Sequence, residues 1–330
     1  MTNLESEIQS GTKFLRNFDG EKIQEFVKNI KPPILIAAMG SSYYMPSGRL
    51  RSITRIVNLN EKIDYIFASE IYNYNPKNYN SLLLISNSGK TREIMECAKK
   101  FPKEKVFAVT SSKNSPLAKL AGKIYILQSG KEKAVAATKS IVEQSMLCAS
   151  LVLHLAKKPI PTREKLGSVV KAMEKNSKID IPHKIPVLVS GARTVYFAGG
   201  DSGIGYEISL KFMELAKKKS KFLPGTQILH GPEEVIEKGD VVFLLFADKY
   251  KVYFDRFKEM RNKTGCHLFL IGSKNPLTEL ALEIELVKGY KPYCILAYFW
   301  NLLKDFATLK GYNLDKAEKI SKIGVGTKQS

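Results

Sequence analysis

Short, uninterrupted apolar runs alternate along the chain with stretches whose apolar residues recur every three or four positions. Residues 33–38, 81–85 and 106–109 read as buried strands, and residues 91–101 as a helix. A strand with one wet face would alternate polar and apolar residues. Continuous apolar runs separated by a helix therefore predict a parallel sheet covered on both faces. The plan then repeats: residues 194–198, 241–245 and 268–271 predict strands, and 204–218 and 250–264 predict helices. Residues 134–156 and 293–309 are apolar on most faces and predict long buried helices, suited to packing against a partner subunit.

The two blocks also share local sequence. Ser112-Lys113-Asn114-Ser115-Pro116-Leu117 precedes a short helix and a strand at 124–127, and Ser273-Lys274-Asn275-Pro276-Leu277 precedes a strand expected at 284–286. Pro276 follows Pro116 by 160 positions in a chain of 330, which predicts a duplicated α/β domain. The expected division is a helical segment over 1–30, a first domain over 31–157, a linker over 158–185, a second domain over 186–312 and a tail over 313–330. The linker carries Pro159, Pro161 and Pro182 around an amphipathic helix near 164–175.

Composition narrows the class. Hydrophobic residues at 44% and charged residues at 25% are globular values. No apolar run reaches the length of a membrane helix, and residues 1–20 lack the apolar core of a secretory signal, so a cytoplasmic protein without membrane contacts is expected. Cys97, Cys148, Cys266 and Cys294 each lie in an apolar stretch and read as buried free thiols. Four scattered histidines point away from a metal site, and no metal is expected. The net charge of +20 fits nucleic acid or a small anion, but only nine of the 52 basic residues are arginine, the residue suited to bidentate phosphate and base contacts. A positive field steering an anionic small molecule is the preferred reading, with no nucleic-acid partner. A lysine-rich surface also accords with a hot habitat.

The densest chemical signal is Ser86-Asn87-Ser88-Gly89-Lys90-Thr91, between an expected strand and helix. The first N–H groups of a helix lack intrahelical partners and carry partial positive charge; hydroxyls and a glycine there suit a tetrahedral phosphate. A plain N-cap also uses such residues, but one is enough for a cap. Strand carboxyl ends are where open α/β sheets bind ligands. Gly40-Ser41-Ser42-Tyr43 and Gly199-Gly200-Asp201-Ser202-Gly203 follow the first strands of the two blocks. Neither forms a dinucleotide fingerprint and no Walker lysine loop is present, so no cofactor is expected.

Taken in order, Gly40-Ser41-Ser42-Tyr43, Ala68-Ser69-Glu70, the Ser86–Thr91 loop and Val135-Ala136-Ala137-Thr138-Lys139 resemble the motifs of sugar isomerase (SIS) domains. From about residue 30 to 325 the chain resembles the isomerase half of glucosamine-6-phosphate synthase and stand-alone glucosamine-6-phosphate deaminases. The resemblance implies two tandem SIS domains, each a three-layer α-β-α sandwich around a five-stranded, mostly parallel sheet. It implies that Ser41, Ser42, Ser86, Asn87, Ser88 and Thr91 hold a 6-phosphate and that Val135 and the backbone near Ala137 line the sugar. The family often has serine where Ala137 stands. Glu207, Lys211 and Glu214 are spaced by four and three, on one helical face, which suits either a surface ion pair or a functional cluster. The resemblance makes Glu214 the base moving a proton between C1 and C2, Lys211 its electrostatic partner, and Glu207 a member of the site. His230, in Gln227-Ile228-Leu229-His230-Gly231-Pro232, would assist ring opening and reach a neighbouring subunit's site, implying a homodimer. Lys322 would contact the sugar's carbonyl end, although Ala317-Glu318-Lys319 departs from the usual flank, and Lys219 replaces a histidine of the synthases.

A glutamine-hydrolysing synthase needs a further N-terminal domain, and the first strand expected by about residue 33 leaves no room for one. The expected reaction is therefore glucosamine-6-phosphate to fructose-6-phosphate and ammonia. A phosphosugar aldose–ketose isomerase or a deglycase is the alternative, and a non-catalytic sugar-phosphate regulator the next.

Overall fold

A computed structural model describes residues 3–132, 134, 136–272, 281–315 and 319. The chain divides into two compact units, residues 1–167 with 315–330, and residues 168–314. The fold is α/β with two separate parallel sheets.

The first unit contains α1 (Asn3–Arg16), α2 (Gly20–Val27), β1 (Ile34–Ala38), α3 (Ser41–Val57), β2 (Ile63–Phe67), β3 (Ser81–Ile85), α4 (Arg92–Lys99), β4 (Val106–Thr110), α5 (Pro116–Leu120), β5 (Lys123–Ile126) and α6 (Lys139–Leu155). Its strands pair in the order β2-β1-β3-β4-β5, all parallel. β1, β3 and β4 are buried along their whole length, as their unbroken apolar runs require. Leu35, Leu82, Leu84, Val106 and Ala108 face α4 and α5 through Ile94, Cys97 and Leu117. On the opposite face, Phe26 of α2 packs edge-on against Phe107 at 6.1 Å. Helices thus cover both faces of the sheet.

α7 (Arg163–Asn176) crosses the division between units. The second unit continues with α8 (Lys184–Gly191), β6 (Thr194–Gly199), α9 (Ser202–Leu215), β7 (Lys219–Pro224), β8 (Val241–Leu245), α10 (Phe254–Thr264), β9 (His267–Ile271), β10 (Ala281–Leu282) and α11 (Lys291–Lys310). Its parallel order, β7-β6-β8-β9-β10, is that of the first sheet. β1 and β6 begin at Ile34 and Thr194, and β3 and β8 at Ser81 and Val241, each pair 160 residues apart. Phe197 and Phe243 meet Phe212 of α9 and Phe299 of α11 at ring distances of 5.0–6.3 Å, and Phe269 stacks on Phe243 at 5.2 Å. Each fully buried phenylalanine contributes about 1.5–3 kcal/mol. Gly205 lets α9 approach β7, because a Cβ there would lie 2.1 Å from the Phe222 ring.

Three expectations need correction. The strand expected at 284–286 is not formed; β10 is Ala281–Leu282. The Asn176 amide instead occupies both backbone groups of Glu285, accepting from its N–H at 2.9 Å and donating to its carbonyl at 2.8 Å, so that residue has nothing left for a ladder. The helix expected from residue 134 begins at Lys139, because the Glu132 carboxylate accepts the N–H groups of Thr138 and Ser140 and caps the helix there. The helix expected over 204–218 ends at Leu215, where Lys217 turns left-handed and Lys219 opens β7. Among the described residues no helix is long and apolar enough to cross a membrane.

Candidate active site

β1 and β3 are neighbours, with Ala38 beside Ile85, yet the chain leaves them toward opposite edges of the sheet. Their carboxyl ends therefore form a topological switch point, the place where open α/β sheets bind ligands. The two loops are Gly40-Ser41-Ser42 and Ser86–Thr91. α3 starts there with Gly40 as a cap that has no side chain to offer its N–H groups. α4 starts with Thr91, whose hydroxyl makes no capping bond and instead lies 3.2 Å from the Ser86 hydroxyl. Ser41 is buried in the first turn of α3, and the Ser42 carbonyl accepts from the Tyr65 hydroxyl at 2.8 Å.

The serine loop is held from behind. The Asn87 carbonyl accepts from the Ser111 N–H at 2.9 Å, the Ser111 hydroxyl at 2.8 Å and the Thr110 hydroxyl at 3.2 Å. Gly89 is left-handed, and a Cβ on it would lie 2.5 Å from the Ser115 hydroxyl and 2.7 Å from that of Thr110. Ser86 accepts from the Gly89 N–H, and Ser88 from that of Lys90, each at 3.2 Å. Asn87 Oδ1 is buried without a hydrogen-bond partner, and the Ser88 side chain is exposed. The loop thus carries the Ser86, Ser88 and Thr91 hydroxyls within six residues at the carboxyl end of β3. Thr110, Ser111 and Ser115 escape the motif reading; their one signal is a run of hydroxyl residues at the carboxyl end of β4.

The equivalent switch point of the second unit, between β6 and β8, differs in chemistry. There Asp201 caps α9 and accepts from the Gly203 N–H at 2.8 Å. A carboxylate on those donors opposes a second anion. The loop after β8 runs Phe246-Ala247-Asp248, without serines. Among the described residues, the switch point of the first unit carries serine hydroxyls after both of its strands, whereas that of the second carries Asp201 and Asp248.

Further along α9 lies the carboxylate–lysine group. Lys211 Nζ donates to Glu214 Oε2 at 2.7 Å and stands 3.3 Å from Glu207 Oε1. Lys211 and Glu207 are sealed from solvent, at 1% and 0% exposure, whereas Glu214 is 24% exposed. Of the two readings the spacing leaves open, the surface ion pair is therefore overturned by burial. One ammonium faces two carboxylates, and the more accessible of them is Glu214.

His230 is exposed at the end of the turn Gln227–Leu229, on the loop after β7. Lys219 is exposed at the start of β7. Lys218 points inward and donates to the carbonyls of Ser190 and Ala192; burial, and then Lys310, holds its ammonium below the ordinary lysine range. Val135 and Lys322 lie outside the described residues. Ala137 is half-buried between buried Ala136 and Thr138. All four cysteines are free and buried, and burial pushes the Cys97 and Cys148 thiols up to about 12, which removes them as nucleophiles near neutral pH.

Buried carboxylates around the loop after β5 also escape the motif reading. Glu143 accepts from the Gln128 and Ser129 N–H groups, each at 2.8 Å, and Glu132 from those of Thr138 and Ser140 at 2.6 and 3.0 Å. Glu7 of α1 accepts from the Ala134 N–H at 3.1 Å.

Residues 78–154 match the SIS domain. Over 309 residues the chain is 26% identical to glutamine–fructose-6-phosphate aminotransferase [isomerizing] of Sulfurisphaera tokodaii, covering 92% of this chain and 51% of that protein. The chain thus spans about half the length of the curated relatives it matches. Its fold is shared with glucosamine-6-phosphate deaminase from Thermotoga maritima, at TM-score 0.72 and 18% identity over 97% of this chain and 99% of that one. It is equally shared with tagatose-6-phosphate ketose/aldose isomerase from Escherichia coli, at TM-score 0.73 and 16% identity over 95% and 94%.

Proposed function

We propose that this chain comprises two tandem SIS domains and is a phosphosugar isomerase acting on a 6-phosphorylated amino sugar, converting glucosamine-6-phosphate and water to fructose-6-phosphate and ammonia. The observation that carries the reading is the buried Lys211 held between Glu207 and the partly accessible Glu214. The ammonium orients the Glu214 carboxylate, and a positioned carboxylate is the group a general base needs.

Ser41, Ser42, Ser86, Asn87, Ser88 and Thr91 take the 6-phosphate, with the N-termini of α3 and α4 supplying N–H groups and positive field. Val135 and Ala137 line the sugar. His230 passes a proton to the ring oxygen as the pyranose opens to the aldehyde. Glu214 then removes the C2 proton; the electron pair forms the C1–C2 double bond of an enolamine, and the C1 oxygen carries the charge. Return of a proton to C1, with one nitrogen proton passing to the C1 oxygen, leaves a C1 hydroxyl and a C2 imine, which water hydrolyses to the ketose and ammonia. Lys211 stays protonated throughout and offsets charge on both carboxylates. Lys322 takes the carbonyl end of the open chain. The active protein is a homodimer in which His230 serves the partner's site.

Ammonia release from glucosamine-6-phosphate, coupled to fructose-6-phosphate formation, tests the reading directly; absence of both refutes it. The shared fold with a ketose/aldose isomerase favours a second reading, simple isomerisation without nitrogen loss. Exchange of the C2 proton with no ammonia would select that reading.

A further inference from the structure

Helix α1 lies directly against α6: a Cβ added to Gly11 would touch Val142 Cγ2 at 3.6 Å and Lys139 Cα at 3.7 Å. From this helix Glu7, 3% exposed, reaches the loop that precedes α6. One of its oxygens accepts from the Ala134 N–H at 3.1 Å and the other stands 3.4 Å from Lys139 Nζ. Glu7 thus grips both ends of the short segment that contains Ala136, Ala137 and Thr138. Ala134, Ala136 and Thr138 are buried, and between the last two Ala137 is half-buried, so it is the residue through which this segment can meet a ligand.

The charge pattern decides what such a segment can recognise. The Glu132 carboxylate accepts the N–H groups of the cap residue Thr138 and of Ser140 in the first turn of α6, and offsets the helix's positive end. A second anion is therefore disfavoured at this segment. It can offer shape and backbone polar groups to a neutral part of a ligand, while the serine loop takes the anion. An error in its height would disturb the neutral part and leave the anionic part in place.

We propose that Glu7 is a positioning residue for the sugar moiety: through Ala134 and Lys139, helix α1 sets the Ala137 backbone against the sugar while taking no part in phosphate binding. This rests on the sugar-phosphate reading above. A merely structural glutamate would move both affinities together or neither, so the ratio of sugar-phosphate to inorganic-phosphate affinity separates the two roles.

The test is titration of the full chain with fructose-6-phosphate and, separately, inorganic phosphate, for the unmodified protein, Glu7→Ala, Glu7→Gln and Glu7→Asp. Glu7→Ala is expected to weaken fructose-6-phosphate binding at least about tenfold and inorganic phosphate by less than about twofold. Glu7→Gln keeps an acceptor for the Ala134 N–H and is expected within about threefold of the unmodified protein. Glu7→Asp withdraws the carboxylate by one methylene, carries the test if the alanine variant does not fold, and is expected to change the ratio in the same direction. An unchanged ratio in every folded Glu7 variant overturns the inference alone. Unmodified protein that binds phosphate but no 6-phosphosugar overturns the sugar-phosphate reading and the inference with it.

Discussion

Lys211 Nζ donates to Glu214 Oε2 at 2.7 Å from a side chain that is 1% exposed. Glu207, on the other side of the same ammonium, is wholly buried. The lysine therefore has two tasks, to compensate a carboxylate that never meets water and to orient one that does. Lys211→Met leaves both acids uncompensated and is expected to lower stability by about 3–5 kcal/mol, as for other broken buried pairs. Isomerase turnover should fall at least about 100-fold in whatever folded protein remains. Thermal melts and initial rates on one preparation check both numbers.

Glu214→Gln separates the tasks. It keeps the shape and an acceptor for Lys211 but cannot take a proton. Glu214 is partly exposed, so the change should cost no more than about 1 kcal/mol in a urea titration, while proton transfer is lost.

The serine loop depends on Gly89. Its left-handed φ and the 2.5 Å approach a Cβ would make to the Ser115 hydroxyl act together. Gly89→Ala is expected to destabilise the first unit by about 2–4 kcal/mol and to abolish inorganic-phosphate binding at millimolar concentration. Phosphate titration by calorimetry reads the second effect independently of any sugar chemistry.

Asn176 is buried and spends its amide on Glu285 and Cys294, donating to both carbonyls at 2.8 and 3.1 Å and accepting from the Glu285 N–H at 2.9 Å. Asn176→Ala removes the partner of both Glu285 backbone groups and is expected to cost about 2–4 kcal/mol. Chemical denaturation should show the loss, and phosphate affinity should be unchanged, because the serine loop belongs to the other unit.

Stability should also depend on His154. Gln24 Nε2 and His154 Nδ1 are 2.8 Å apart, and burial, then Lys31, holds the imidazole below its ordinary range. The folded state thus disfavours the protonated ring. Above about pH 6.5 the ring is neutral in both states and the contribution is complete; below that the unfolded chain takes the proton first, so stability falls until the folded-state value is passed. Melting temperature measured from pH 8 to pH 5 should decline at the acid end, and His154→Ala should remove that part of the slope.

Strands with two neighbours announce themselves in the sequence. β1, β3 and β8 are buried at every position, and their apolar runs leave no alternative. The edge strands do not: β2 is mostly half-buried, and β7, beginning Lys219-Ser220-Lys221, reads as a polar segment because each has one partner and a wet side. The strand expected at 284–286 fails for a reason no periodicity carries, since Asn176 lies 109 positions from the Glu285 groups it occupies. The serine loop is legible because its residues are consecutive. Its anchors, Thr110 and Ser111, come from the next strand, and Glu7 comes from 127 positions before Ala134. The spacing of Glu207, Lys211 and Glu214 shows a shared helical face, but only packing decides that the face points inward.

In the proposed reaction Glu214 moves the C2 proton of a 6-phosphorylated amino sugar. Proton NMR of glucosamine-6-phosphate in D2O, with ammonia assayed in the same tube, measures it most directly. The unmodified protein is expected to remove the C2 proton signal and yield deuterated fructose-6-phosphate with one ammonia per ketose, and Glu214→Gln to do neither while still binding inorganic phosphate. Full C2 exchange and ammonia release by Glu214→Gln, or neither from the unmodified protein with the sugar phosphate bound, would contradict it.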